Sequence, residues 1–212
     1  MYIALEGVKG TGKTTVFTRL REALLADGIP LSVLCPTRPV SPPNLVERMA
    51  RVPALRGWDA FRERLYAMRS NYHARRTSRP PGALLLGDRS RLTSYVTRWD
   101  GASADTRRAC LARVDAMEPV IGLPDHVLYL DAPPEVLRDR LDRRDRHYGR
   151  EDETPARLTA QRSAYDDLRR HATELGLAGL RWHRIDAGVG LDEVVDQCLH
   201  TARTLFRKER SS

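Results

Sequence analysis

Residues 6–15 read EGVKGTGKTT, directly after the apolar run YIAL. Gly7-Val8-Lys9-Gly10-Thr11-Gly12-Lys13-Thr14 matches GxxxxGK[ST] at every fixed position. The context is also the required one. A short buried strand precedes the loop, and Val16, Leu20, Ala23 and Leu24 follow at helical spacing. Glycines let successive backbone N–H groups turn inward on an anion, and the helix N-terminus adds partial positive charge. Lys13 supplies a point charge to the β- and γ-phosphates of a triphosphate, and the Thr14 hydroxyl can enter a magnesium shell. The loop therefore predicts ATP binding through Gly7, Lys9, Gly10, Thr11, Gly12, Lys13, Thr14 and Thr15. A GTPase would add an Asn/Thr-Lys-x-Asp guanine reader, which is missing, and motor ATPases usually carry more chain.

Outward from the loop, strands and helices alternate. Strands are expected at 2–6, 30–35, 82–88, 126–132 and, more weakly, 180–187. Helices are expected at 14–26, 45–52, 55–76, from 90, 103–120, 133–144, 154–174 and 191–207. Asp27-Gly28 stops the first helix, and the prolines of PTRPVSPP make 36–43 a loop. This alternation predicts an α/β three-layer sandwich of the P-loop NTPase type, with a five-stranded parallel sheet covered on both faces. In such sheets ligands lie beyond the carboxyl ends of the strands. The 212 residues suit one domain, 1–212, with a lid at about 143–153.

The chemistry-bearing residues do follow strands. Strand three ends LLLGDRSR, where Asp88 can hold magnesium through water and Arg89 points toward the same cleft. A helix N-cap is the competing use of Asp88, and a surface ion pair that of Arg89. Residues 138–150, RDRLDRRDRHYGR, hold six arginines. They suit a lid that closes on transferring phosphate and excludes water. A solvated face, paired through Asp139, Asp142 and Asp145, would use the same residues. Nucleic-acid binding would want stacking aromatics, and the run offers Tyr148 alone, so no nucleic-acid partner is expected.

The net charge of +8 favours anionic partners. Cys35, Cys110 and Cys198 are scattered without metal spacing, which suits a reducing cytoplasm. No apolar run has the length of a membrane span, so no membrane partner is expected.

The ordered set of motifs resembles the thymidylate kinase family of P-loop nucleoside monophosphate kinases. YIALEGVKGTGKTT is similar to that family's first strand and phosphate loop. TRP at 37–39 resembles a shortened Thr-Arg-Glu-Pro segment, and LYAMRSNYH its Leu-Phe/Tyr-Ala-Ala-x-Arg helix. DRSRLTS and YLDAPPEVLRDRLDRR…GRED resemble its acceptor segment and its strand four, helix and lid. Gly10, with arginines in the lid, is similar to the bacterial-type subgroup, where the lid supplies the catalytic arginine.

The resemblance implies that Arg38 and Arg89 hold the acceptor phosphate and that Asp88 positions magnesium or the acceptor. It implies that Tyr66 stacks on the acceptor base, that Arg143 or a neighbour lies against adenine with the loop at Ala187, and that Arg146 and Arg150 close on the phosphates. It also implies ATP and Mg2+ as cofactors, a small nucleotide acceptor and a homodimer.

Three positions depart from the family pattern. Lys9 stands where the family carries an acid, which suggests a hold on an unusually anionic acceptor. Arg38 runs straight into Pro39. The base-reading arginine falls on Ser70, with Arg69 one place earlier, about 100° away on a helix. The related deoxynucleoside kinases phosphorylate a hydroxyl and use a Glu-Pro pair as base. Arg38-Pro39 in its place favours an already ionised monophosphate, although Asp88 or Glu47 could act as a base for a hydroxyl. The expected reaction is transfer of the ATP γ-phosphate to a (deoxy)nucleoside monophosphate, dTMP first among them; the alternatives are a kinase of a deoxynucleoside or another small metabolite, or a non-catalytic ATP-sensing module. Lys13, Asp88, Arg89, Arg146 and Arg150 are the catalytic candidates, with Thr14 and Asp88 at the metal.

Overall fold

A computed structural model describes residues 1–38, 59–143 and 153–211. Five strands form one fully parallel sheet in the order β2-β3-β1-β4-β5. They are β1 (Tyr2–Glu6), β2 (Leu31–Leu34), β3 (Leu84–Asp88), β4 (His126–Asp131) and β5 (Arg181–Asp186). Seven helices flank them among the described residues: α1 (Lys13–Ala26), α2 (Asp59–Arg76), α3 (Arg91–Thr97), α4 (Ala104–Met117), α5 (Pro134–Asp142), α6 (Pro155–Arg170) and α7 (Leu191–Arg210). The expected fold class is the observed one. The helix expected at 45–52 and the start of the one expected at 55–76 lie outside the described residues.

Burial explains the strand sequences. β1, β3 and β4 are buried at every position, because helices cover both faces. β5 is an edge strand, as β2 is at the other side, and Ile185 is its one buried residue. Its weak apolar signal, RWHRID, follows from that position. The helix ends are set locally. Asp27 and Gly28 close α1 by donating back to Ala23 and Leu25, and Gly28 takes the left-handed conformation that side chains resist. Ser103 and Thr106 form a reciprocal capping box at the start of α4.

The first and last helices of the described chain pack side by side. Arg19 Nη1 meets Asp192 Oδ1 at 2.5 Å near the start of α7, and Arg203 forms a bidentate pair with Asp27 (2.7 and 2.7 Å) toward its other end. β1 lies between β3 and β4, so the strands on either side of the phosphate loop belong to opposite halves of the sheet. The chain reverses its direction of sheet growth there, which is the usual position of a nucleotide crevice. Four strands end on a carboxylate at this edge: Glu6, Asp88, Asp131 and Asp186.

Candidate active site

The phosphate loop is shaped by close approaches. Gly7 has φ +141°, and a Cβ placed there would lie 2.4 Å from the Leu130 carbonyl oxygen of β4. Gly10 has φ +93°, and a Cβ there would press on Leu137 of α5 at 3.2–3.3 Å. Side chains at these positions would push the loop off the sheet or off α5. The Thr11 hydroxyl donates to the Val8 carbonyl at 3.0 Å. The Lys13 ammonium lies across the same loop, donating to Val8 O at 2.6 Å and to Thr11 Oγ1 at 3.2 Å. α1 has no acidic residue in its first turn, so nothing on the helix offsets its partial positive charge there. Thr14 and Thr15 are exposed on that turn.

On one side of the loop stand Asp88 and Arg89. Asp88 is nearly buried, and Arg38 Nη2 lies 3.7 Å from its Oδ2. The competing role of helix cap falls to Ser90, whose side chain accepts from Leu92 N at 3.2 Å. Arg89 is the one non-glycine with positive φ (76°) among the described residues. Such a conformation costs about 1–3 kcal/mol and persists only where its surroundings impose it.

The surroundings centre on Glu6, a site residue that the motif reading passes over. Glu6 is fully buried at the end of an otherwise apolar strand. An unpaired carboxylate there would cost several kcal/mol. Its Oε1 accepts from Ser90 N and Ser90 Oγ, both at 2.7 Å, and its Oε2 from Thr93 Oγ1 and the Tyr165 hydroxyl, both at 2.7 Å. Burial first, then the Glu6 charge, hold the Tyr165 phenol protonated far above its ordinary range. The sequence carries no distinguishing signal for it, since three other strands also end on a carboxylate.

On the other side of the loop, Asp131 ends β4. Arg162 grips it bidentately (2.8 and 3.0 Å), and Arg184 adds two bonds to Oδ2 (3.1 and 2.6 Å). Burial alone would raise the Asp131 pKa, but the two guanidinium partners outweigh it and hold the carboxyl below its usual range. Arg140 of α5 donates to Ala187 O (2.7 Å) and Val189 O (3.2 Å).

Arg140 thereby tethers the loop at Ala187, and Arg143 is exposed at the end of α5. Ala187 is fully buried, its N–H bonded to Asp131 O at 2.7 Å, so it anchors that loop from beneath.

The acceptor candidates on α2 are also placed. Arg69 Cζ lies 4.9 Å from the centre of the Tyr66 ring and Arg62 Cζ 5.9 Å, so two guanidinium groups lie near that ring. Ser70 is buried, and its hydroxyl reaches Pro36 O at 3.4 Å. Lys9 pairs with Glu153, just before α6, at 3.9 Å. Glu153 also lines a cavity of about 270 Å³ between α5 and α6, floored by Leu137, Leu141 and Leu158. Pro39, Glu47, Arg146, Tyr148 and Arg150 lie outside the described residues.

A phosphate loop at the reversal point of a parallel sheet, with a cationic acid–arginine turn beside it, defines the class: a P-loop phosphotransferase. The chain belongs to the thymidylate kinase family, whose profile matches residues 5–198, and is a nucleoside monophosphate kinase. It is similar to the probable thymidylate kinase of Natronomonas pharaonis, 29% identical over 216 residues, covering 98% of this chain and 100% of that one. It is also similar to the thymidylate kinase of Symbiobacterium thermophilum, 29% identical over 163 residues, covering 70% of this chain and 74% of that one. No described helix is long and apolar enough to cross a membrane.

Proposed function

We propose that the protein transfers the γ-phosphate of ATP to dTMP in a magnesium-dependent reaction. The observation that carries this reading is the cationic turn beside the phosphate loop, where Arg38 and Arg89 flank Asp88. Two guanidinium groups suit an acceptor that is already an anion and needs placing in line more than it needs a base. Lys13 and the loop amides take the charge of the transferring group, and Thr14 and Asp88 are the magnesium candidates. Their donor set fits the ion, since magnesium takes only one or two protein oxygens beside phosphates and water. When bound, the ion neutralises charge on the β- and γ-phosphates. Arg146 and Arg150 are proposed to close over the phosphates from the lid at about 143–153.

The names of the two relatives support thymidylate as the acceptor. Tyr66 and Arg69 lie on the α2 stretch that resembles the family's base-binding helix. We assign them to the base as a stacked pair, with Ser70 bracing the helix against the segment after β2. Lys9 remains a candidate for an anionic group on the acceptor, reached by exchanging Glu153 for that group. We further place the protein in the cytoplasm as a homodimer formed of one kinase domain per chain. The three free, buried cysteines suit a reducing compartment.

The test is an acceptor panel read by coupled ADP release with ATP and magnesium. Turnover with dTMP above other monophosphates, and none with thymidine, is expected. Turnover with thymidine but not with dTMP would overturn the monophosphate reading. Lys9→Asp should raise the KM for the preferred acceptor; an unchanged KM and kcat would remove Lys9 from the site.

A further inference from the structure

We propose that Glu6 is a positioning residue for the acceptor clamp: it fixes the left-handed turn at Arg89 and aims the Arg89 guanidinium through Thr93. The proposal rests on the reading of Arg89 as an acceptor-phosphate ligand.

Both sides of the strained residue are tied to β1. The Arg89 N–H donates to Leu5 O at 3.0 Å, and the next N–H along, that of Ser90, donates to Glu6 Oε1 at 2.7 Å. Two successive residues of β1 thus hold the two amides that bracket the positive φ. Without the second bond, the turn would be free to relax toward the ordinary right-handed region.

The side chain is tied as well. Arg89 Nη1 donates to Thr93 Oγ1 at 3.3 Å, and that hydroxyl donates to Glu6 Oε2 at 2.7 Å. A hydroxyl has one proton. With that proton committed to Glu6, its lone pairs face the guanidinium. The relay runs guanidinium, hydroxyl, carboxylate, with the negative charge buried behind the cation that it orients. All four bonds into Glu6 come from donors, which an ionised carboxylate accepts and an amide cannot accept in full. Glu6 also directly precedes Gly7, so the acceptor clamp and the phosphate loop start from the same strand end. That shared origin fixes the distance between donor and acceptor, on which in-line transfer depends.

The experiment measures steady-state kinetics with ATP and dTMP for Glu6→Gln, Thr93→Val, Thr93→Ser and Arg89→Ala, and for Glu6→Gln combined with Arg89→Ala. Glu6→Gln and Thr93→Val should each raise the dTMP KM roughly tenfold while the ATP KM stays within about twofold, the scale of one charge-assisted hydrogen bond. Thr93→Ser keeps the hydroxyl and should return the dTMP KM toward its original value. In the Arg89→Ala background, Glu6→Gln should add nothing further to the dTMP KM.

An equal effect of Glu6→Gln in both backgrounds, or parallel rises in the two KM values, would overturn the proposal and leave Glu6 as a fold-stabilising hub. Arg89→Ala with an unchanged dTMP KM would overturn the acceptor-clamp reading first, and this inference with it. If Glu6→Gln does not fold, the contrast of Thr93→Val with Thr93→Ser decides alone, and equal dTMP KM values for those two variants would overturn the relay.

Discussion

Glu6 and Asp131 close neighbouring strands on either side of the phosphate loop, and both are buried, yet they are satisfied in opposite ways. Glu6 meets only neutral donors: one amide and three hydroxyls. Asp131 meets two guanidinium groups. The difference follows from what each must leave available. A cation bonded directly to Glu6 would be neutralised there, whereas hydroxyls satisfy the acid and leave Arg89 with its charge. Asp131 does the reverse. It binds Arg162 and Arg184 directly and so ties α6 to the edge strand β5. The buried acid on the acceptor side is thus satisfied by neutral groups, and the one on the β4–β5 side by cations.

The largest effect expected against this contrast comes from the one residue common to both sides. Lys13→Ala should lower turnover by roughly 100-fold or more, whichever acceptor is supplied, because it removes the fixed cation that meets the transferring group. A fall confined to one acceptor would place Lys13 on one side only. Next, Asp131→Asn should cost roughly 2 kcal/mol in denaturant unfolding, below the 3–5 kcal/mol of a fully buried pair, because the Arg184 side chain is 71% exposed. That variant should leave the dTMP KM unchanged. A raised dTMP KM would mean that the two sides are not separate.

Acid should expose the same pair. The folded-state pKa of Asp131 lies below its unfolded value, so its contribution is present above about pH 4 and lost as pH falls through the folded pKa. Thermal melts of the parent protein should therefore fall more steeply than those of Asp131→Asn below about pH 4. Arg140→Ala, which frees the loop at 187–189, should raise the ATP KM roughly tenfold and the dTMP KM by less than about twofold.

The smallest effect lies at the opposite end of the sheet. There His126 Nδ1 and His183 Nε2 share a 3.1 Å hydrogen bond. Burial first holds both pKa values down; for His126 the neighbouring His183 and Arg181 add to this, and for His183 Arg181 does. The unfolded chain binds more protons in this window, so stability should rise with pH up to about 6.5 and fall below it. His183→Gln should flatten that slope in melts between pH 5 and 7 and leave turnover alone.

The sequence made the fold legible wherever burial on both faces wrote a continuous apolar run, as in YIAL, LLLGD and HVLYLD. It was faint at β5, where an edge position lets Arg181, His183 and Arg184 stand in a strand. The phosphate loop was legible because its glycines and lysine serve a shape that no other residues give. Glu6 was not, since a single acid carries no spacing, and its three partner residues lie 84 to 159 residues away along the chain. The Arg140 tether was not legible either, because a run of arginines does not say which of them meets the loop at 187–189. The Tyr66–Arg69 contact was hidden for a related reason: its members sit three apart on a helix, whereas the resembling family's base-reading arginine falls on the next position, Ser70.

The pairing of the first helix with the last has a consequence in time. The loop-bearing helix α1 is made early, but its flank against α7, with the Arg19–Asp192 and Arg203–Asp27 ties, cannot form until residue 203 or beyond has left the ribosome. For most of synthesis the nucleotide-binding end of the nascent chain therefore stands with an uncovered apolar flank. A ribosome stalled before α7 should hold a chain open to chaperones and proteases, and the same chain released after α7 should close.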